Sequence, residues 1–184
     1  MIISRIIAFL LLLLLSPLFL LIGIIILFGD GRPIIFKQNR IGVNSVPFDI
    51  YKFRTMKKNT PDIPTHLVED YKPYYTLLGP LLRNFSLDEI PQLINIIKGQ
   101  MIFIGPRPAL YNQYDLINSR KNLGIDKILP GITGWAQVQG RDELSFKKKI
   151  EMDNYYFKNK CFTLDCKIIV LTIIKVFKSE NVKI

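Results

Sequence analysis

From Ile6 to Phe28 the chain carries no charged residue, reading IIAFLLLLLLSPLFLLIGIIILF. A helix rises ~1.5 Å per residue, so this run is long enough to cross a hydrocarbon core of ~30 Å. A cleaved secretory signal is excluded, because the run is too long and no small-residue cleavage site precedes Asp30. Ser16-Pro17 stands near its middle. Proline removes one backbone hydrogen bond and clashes with the preceding turn, and the Ser16 hydroxyl can occupy the carbonyl so released. A kink is therefore expected at Ser16 and Pro17. Arg32, Lys37 and Arg40 place the region after the run in the cytoplasm by the positive-inside rule. The run alone leaves both a spanning helix and a re-entrant one open.

After residue 30 the pattern is mixed. GRPIIFKQNRIG and PFDIYKFRTM predict two short strands joined by a turn at Gly42-Val43-Asn44. Residues 59 to 73 are polar and proline-bearing, and read as a surface loop. Helices are expected over Tyr74 to Arg83, from Ser86 to a C-cap near Gly99, and from Ser145 to Lys158. IGPRP and LPGITGWAQVQGR read as loops held by Pro and Gly. The last apolar stretch, Leu164 to Lys178, is too short for a comfortable span. Its lysines (Lys167, Lys175 and Lys178) would suit a membrane interface, and core packing would suit it equally. The class is α+β: one small hairpin in a mainly helical domain.

Formal charge is +10, which suits a polyanion, an anionic membrane or a phosphate-rich substrate. No nucleic-acid-binding motif and no basic stripe along one helix is present, so nucleic acid is not an expected partner. Cys161 and Cys166 lack the spacing of a metal site and read as reduced thiols. His66 is assigned no role.

Ser86-Leu87-Asp88-Glu89 fits a capping box, with Glu three residues after the Ser cap. Acidic residues in a first turn are favoured by the helix dipole, so a purely structural cap accounts for the pair by itself. Its company argues for more. Arg83 lies just upstream, Arg107 sits between two prolines, Arg141 follows a Gly-rich loop, and Lys52 and Arg54 lie in YKFRTM. Cations beside stiff positions are pre-oriented for phosphate. A helix N-terminus would keep Asp88 ionised and nucleophilic toward phosphorus, and Mg²⁺ bridging Asp88 and a diphosphate would offset the anionic repulsion. No P-loop, dinucleotide fingerprint or zinc spacing appears. The residues by themselves describe a membrane-anchored domain with a carboxylate pair and phosphate-binding cations. They leave open a tethered, non-catalytic binder of nucleotide or anionic lipid.

The ordered blocks FKQNRIG, YKFRTM, SLDEIPQLINIIKG, IGPRP and PGITGWAQVQGR, together with Ser16-Pro17, resemble the bacterial sugar transferases. These are the monotopic phosphoglycosyl transferases, here in their small single-domain form. The resemblance implies a re-entrant helix over residues 1–30, with both ends cytoplasmic. Residues 31–184 would form a catalytic domain with interfacial helices on the cytosolic face of the inner membrane. It implies a UDP-sugar donor, a polyprenyl (undecaprenyl) phosphate acceptor, release of UMP and dependence on Mg²⁺. Asp88 matches the residue that carries a covalent phosphosugar, and Glu89 completes the catalytic dyad. Lys52, Arg83, Arg107 and Arg141 match phosphate and nucleotide contacts. Downstream glycosyltransferases and a homodimer are the protein partners it brings into view. Three departures stand out. Arg5 lacks the usual neighbouring basic residue and Asp. Gly99-Gln100-Met101-Ile102 replaces a common Gly-acidic-Met-Ser. Gln139 stands for a common Asn. The Gln100 change predicts altered packing before the Arg107 loop.

Overall fold

The computed structural model of the chain describes residues 1–58, 60, 72–140 and 144–178. The polar loop expected over 59 to 73 lies mostly outside the described residues, as do His66 and Arg141. The apolar run forms two helices, α1 (Ile2–Leu14) and α2 (Ser16–Asp30), bent by 61°. The cause is local. Pro17 has no amide hydrogen to give the Leu13 carbonyl, and the Ser16 hydroxyl donates to that carbonyl instead at 2.7 Å. Among the described residues no single helix is long and apolar enough to cross a membrane, whereas the bent pair is, by length and composition.

The bend lets the two halves pack on different parts of the domain. Ala8 of α1 is buried with Phe48, Ile50, Leu93, Ile96 and Met101. Ile22 and Ile26 of α2 are buried instead with Phe53 and Leu82, and Phe19 meets the Phe53 ring at 4.7 Å between centroids. A straight helix could not reach both clusters. Arg54 fixes the end of α2: buried, it donates from Nη2 to the carbonyls of Asp30 and Gly31 at 2.7 and 2.8 Å. Its side chain serves helix capping, not the phosphate contact that its place in YKFRTM favours.

The expected hairpin is present. β1 (Ile35–Ile41) and β2 (Pro47–Phe53) pair antiparallel, with Ile35 opposite Phe53 and Ile41 opposite Pro47. The 3-10 turn Val43–Ser45 joins them, with Asn44 and Ser45 in the left-handed region. Strand alternation sets Lys52 on the same face as buried Phe48 and Ile50.

Helix α3 covers only Gly79–Asn84, preceded by a 3-10 turn at Lys72–Tyr74, because Pro80 is tolerated only in a first turn. The helix expected from Ser86 to Gly99 is broken. A 3-10 turn covers Leu87–Glu89, and α4 covers Gln92–Ile97. The Pro91 ring would clash with the carbonyl four residues back, that of Leu87, so no continuous helix can run through it. Asn95 is fully buried and sews α4 to β2, accepting from Tyr51 N at 3.1 Å and donating to Asp49 O at 2.7 Å.

Of the two stretches expected as loops, IGPRP is a loop beyond Ile104, flanked by short strands, whereas the one from Leu129 holds a strand and a short helix. β3 (Ile102–Ile104) pairs parallel with β5 (Gly131–Thr133), and β4 (Ala109–Leu110) extends the hairpin in the order β2-β1-β4. Gly105 and Gly131 pass so closely that a Cβ on either would strike the other's backbone, which explains the Gly-rich composition. α5 (Tyr114–Asn122) has no strong sequence signal, and its polar, weakly periodic sequence explains why. α6 (Trp135–Gln139), α7 (Phe146–Asn159, capped by the Ser145 hydroxyl) and α8 (Phe162–Lys178) complete the chain. Val138, Tyr156 and Ile168 join these last three helices. The Tyr156 hydroxyl lies 2.9 Å from Asp165 Oδ1 and 3.1 Å from the Ile104 carbonyl. Of the α8 lysines, exposed Lys167 sits over the Trp135 ring, and half-buried Lys175 lines a cavity.

Candidate active site

Three elements bring the chemistry together: the turn before α4, strand β2 and the loop after β3. The turn opens at Ser86, whose φ of 54° is left-handed. A serine cap needs extended backbone to aim its hydroxyl at the third amide, and Ser86 makes no side-chain capping bond. The capping-box expectation is thus overturned. Asp88 lies in the 3-10 turn ahead of α4, which starts only at Gln92. A side-chain cation faces both acids. Lys52 Nζ lies 2.6 Å from Glu89 Oε1 and 3.6 Å from Asp88 Oδ2, with the lysine side chain 15% exposed and the carboxylates 9% and 10%. Strand alternation aims Lys52 inward, and the left-handed turn at Ser86 sets both acids against it.

Arg107 approaches from the other side, Nη1 standing 3.6 Å from Glu89 Oε1. Its loop has no regular structure of its own, and prolines at 106 and 108 leave it few amides to donate. It is held through carbonyls. Gly131 N donates to Pro106 O at 3.0 Å, Arg120 Nη1 to Arg107 O at 2.8 Å, and Arg40 Nη1 to Pro108 O at 3.0 Å. Arg120 is in turn paired with buried Asp153, whose Oδ2 accepts from Nη2 at 2.6 Å and Nε at 3.1 Å. Burial pushes the Asp153 carboxyl above the ordinary carboxylate range, and Arg120 and Lys149 oppose that rise. Sequence reading missed Arg120 and Asp153, because an acid and a base in separate polar helices carry no local sign that they meet.

Arg83 does not join the group. Its guanidinium lies over the Tyr75 ring and reaches the Tyr75 hydroxyl at 3.2 Å, and among the described residues it pairs with neither Asp88 nor Glu89. Asp88, Glu89, Lys52 and Arg107 therefore assemble, Arg83 stands aside, and Arg141 lies outside the described residues.

Glu89 and Arg107 open on a cavity of about 270 Å³. Its other polar lining is Asn84, Ser86, Thr133, Gln137 and Lys175. Its apolar lining comes from Leu11 and Leu15 at the bend, Ile90 and Leu93, and Val176 of α8. The flanks outside it are also apolar: Leu10, Leu13 and Leu14 of α1 and Val170 and Ile173 of α8 are exposed. Thr133 and Thr172 hydroxyls, 2.7 Å apart, tie α8 to β5 across its floor. A charged, largely enclosed centre thus meets an apolar recess built from the bent N-terminal helices.

Residues 1–179 match the family described as bacterial sugar transferase. The chain belongs to the bacterial sugar transferase family. The uncharacterized sugar transferase EpsL of Bacillus subtilis is 42% identical over 153 residues, covering 83% of this chain and 74% of that protein. The UDP-glucose:undecaprenyl-phosphate glucose-1-phosphate transferase of Escherichia coli is 37% identical over 95% of this chain. The UDP-N-acetylgalactosamine-undecaprenyl-phosphate N-acetylgalactosaminephosphotransferase of Aeromonas hydrophila is 36% identical over 86% of it. The matched part is 39% and 38% of the length of those last two proteins.

Two departures from the usual sugar transferase sequence acquire a structural account. Arg5, alone at the start of α1, lies against Gly99 at the C-terminal end of α4, close enough that a Cβ on Gly99 would collide with its guanidinium. That end of a helix favours a cation. Gln100 accepts from Asn95 Nδ2 at 2.9 Å through its side-chain oxygen, and Met101 is buried in the core. The segment before the Arg107 loop is thus held by a neutral amide pair.

Proposed function

We propose that this sugar transferase moves a sugar-1-phosphate from a UDP-sugar to undecaprenyl phosphate, in two displacements at one phosphorus. The supporting observation is the cluster of Asp88, Glu89, Lys52 and Arg107 at the mouth of a recess whose far wall is apolar. A lipid phosphate has the same two-part chemistry. The names of the Escherichia coli and Aeromonas relatives, one for glucose and one for N-acetylgalactosamine, support a UDP-hexose or UDP-N-acetylhexosamine donor.

In the first step an Asp88 carboxylate oxygen attacks the sugar-bearing phosphorus. The bond from that phosphorus to the UMP oxygen breaks, and UMP leaves. In the second, an oxygen of the lipid phosphate attacks the same phosphorus, the bond to Asp88 breaks, and polyprenyl-diphosphate-sugar is formed. Lys52 holds Glu89 and Asp88 in fixed relation, and Arg107 stands ready for charge developing on the phosphate oxygens. Mg²⁺ takes one or two carboxylates and completes its shell with phosphate oxygens and water, and the adjacent Asp88 and Glu89 carboxyls fit that description. When bound to Asp88 it would screen the charge of the diphosphate. Residues 1–30 serve as a re-entrant anchor bent at Ser16-Pro17, seating the domain on the cytosolic face of the membrane. The apolar outer flanks of α1 and α8 support that placement.

The test is incubation with a panel of UDP-sugars and a divalent ion before any lipid is added. One donor should release a single equivalent of UMP and add the mass of its sugar-phosphate to the peptide containing Asp88. Asp88→Asn should lose both the adduct and turnover with undecaprenyl phosphate. Substantial turnover by Asp88→Asn would end the covalent reading.

A further inference from the structure

We propose that Arg120 and Asp153 are positioning residues for Arg107, a role that rests on the transferase reading above. The residues involved lie on three separate elements: Asp153 on α7, Arg120 on α5, and Arg107 in the loop after β3.

The Arg107 loop is short of donors. Pro106 and Pro108 have no amide hydrogens, so the loop is anchored through its carbonyls, and each of the three consecutive carbonyls has a donor from a different element. The donor to Arg107's own carbonyl is the Arg120 guanidinium. Its direction is set by Asp153, which takes two of its N–H groups on one oxygen while a third points at the Arg107 carbonyl. A guanidinium is a rigid planar fork, so fixing two of its donors fixes the third. Net stability is a poor explanation for this arrangement. Replacing a buried ion pair by apolar groups of similar volume is often neutral or stabilising. What the pair supplies is direction. The Arg107 side chain leaves the same residue whose carbonyl is gripped, and it ends 3.6 Å from Glu89. A displacement of about 1 Å in such a contact costs turnover on the order of 100-fold.

The experiment uses the full chain in detergent or nanodiscs, with two variants. Arg120→Met with Asp153→Leu removes both buried charges and keeps apolar bulk. Arg120→Lys keeps the charge and loses the fork. The first readout is UMP release with undecaprenyl phosphate, in the wild-type and the Arg107→Ala backgrounds. The double replacement should lower kcat on the order of 10–100-fold when Arg107 is present. It should add almost nothing once Arg107 is gone, and Arg120→Lys should fall between. Losses that multiply across the two backgrounds would overturn the proposal. The second readout does not depend on activity. Phenylglyoxal modification of Arg107, followed by peptide mass spectrometry, should quicken several-fold in the double replacement while the thermal midpoint stays close to that of wild type. Unchanged labelling would also overturn it. If the wild-type chain released no UMP from any donor, the transferase reading would fail, and the labelling would still decide whether Arg120 and Asp153 position Arg107.

Discussion

Replacing Lys52 by Met should damage this protein through the two carboxylates it leaves behind. Lys52 Nζ makes a 2.6 Å charge-assisted bond to Glu89 and stands 3.6 Å from Asp88, with all three side chains at 15% exposure or less. A hydrogen bond to a charged group is worth about 1.5–3 kcal/mol net. The Asp88 contact adds a Coulomb term of about 4 kcal/mol before desolvation is subtracted, at the effective dielectric of a near-surface site. Desolvation cancels much of that gross attraction. A net loss of roughly 2–3 kcal/mol is therefore expected, or about 4–12 °C in the thermal midpoint for a chain of this size. The assay is a double-mutant cycle on thermal stability, pairing Lys52→Met with Glu89→Gln and separately with Asp88→Asn. Neutralising either acid should recover part of the loss, and Glu89→Gln should recover more, because its contact is shorter. A Lys52→Met variant as stable as wild type would refute this account of the cluster. So would two coupling energies within about 0.5 kcal/mol of zero, the ordinary error of additivity.

Pro17→Leu supplies an amide that can take the Leu13 carbonyl from the Ser16 hydroxyl. The variant should straighten the bend, expose Met1 to a membrane-impermeant label from the periplasmic side and lose activity at normal expression; cytoplasmic-only labelling with full activity would refute this. Tyr156→Phe removes the bond to Asp165 and should cost about 1–3 kcal/mol at neutral pH. Burial, with Asp165 as its acceptor, raises the Tyr156 phenol above the ordinary 10.0, so its contribution is intact below pH 10 and is lost as pH rises further. The stability gap between wild type and Tyr156→Phe should therefore narrow above pH 10 in thermal melts, and a constant gap would contradict the assignment.

The sequence by itself determined the features that depend on near neighbours. Ser16-Pro17 fixes the bend, because the missing amide and the replacing hydroxyl are adjacent residues. The pattern of PFDIYKF sets a strand, and the Asp88-Glu89 pair was legible with its family match. The tertiary structure decided what the local pattern misread. Ser86 looked like a helix cap because the spacing to Glu89 is right, yet Pro91 forbids the helix that a cap would start. The Gly-rich stretch from Gly131 looked like a loop because its strand pairing is with Ile102 to Ile104, far back along the chain. Arg54, Arg83 and Arg107 are indistinguishable as basic residues in short motifs, and only their packing separates a helix clamp, a partner of Tyr75 and a neighbour of Glu89. The Asp153–Arg120 pair and the apolar recess behind Glu89 left no trace in the sequence at all. The physical reason is the same in each case: backbone preferences act over a few residues, whereas ion pairs and cavities arise between segments that only folding brings together.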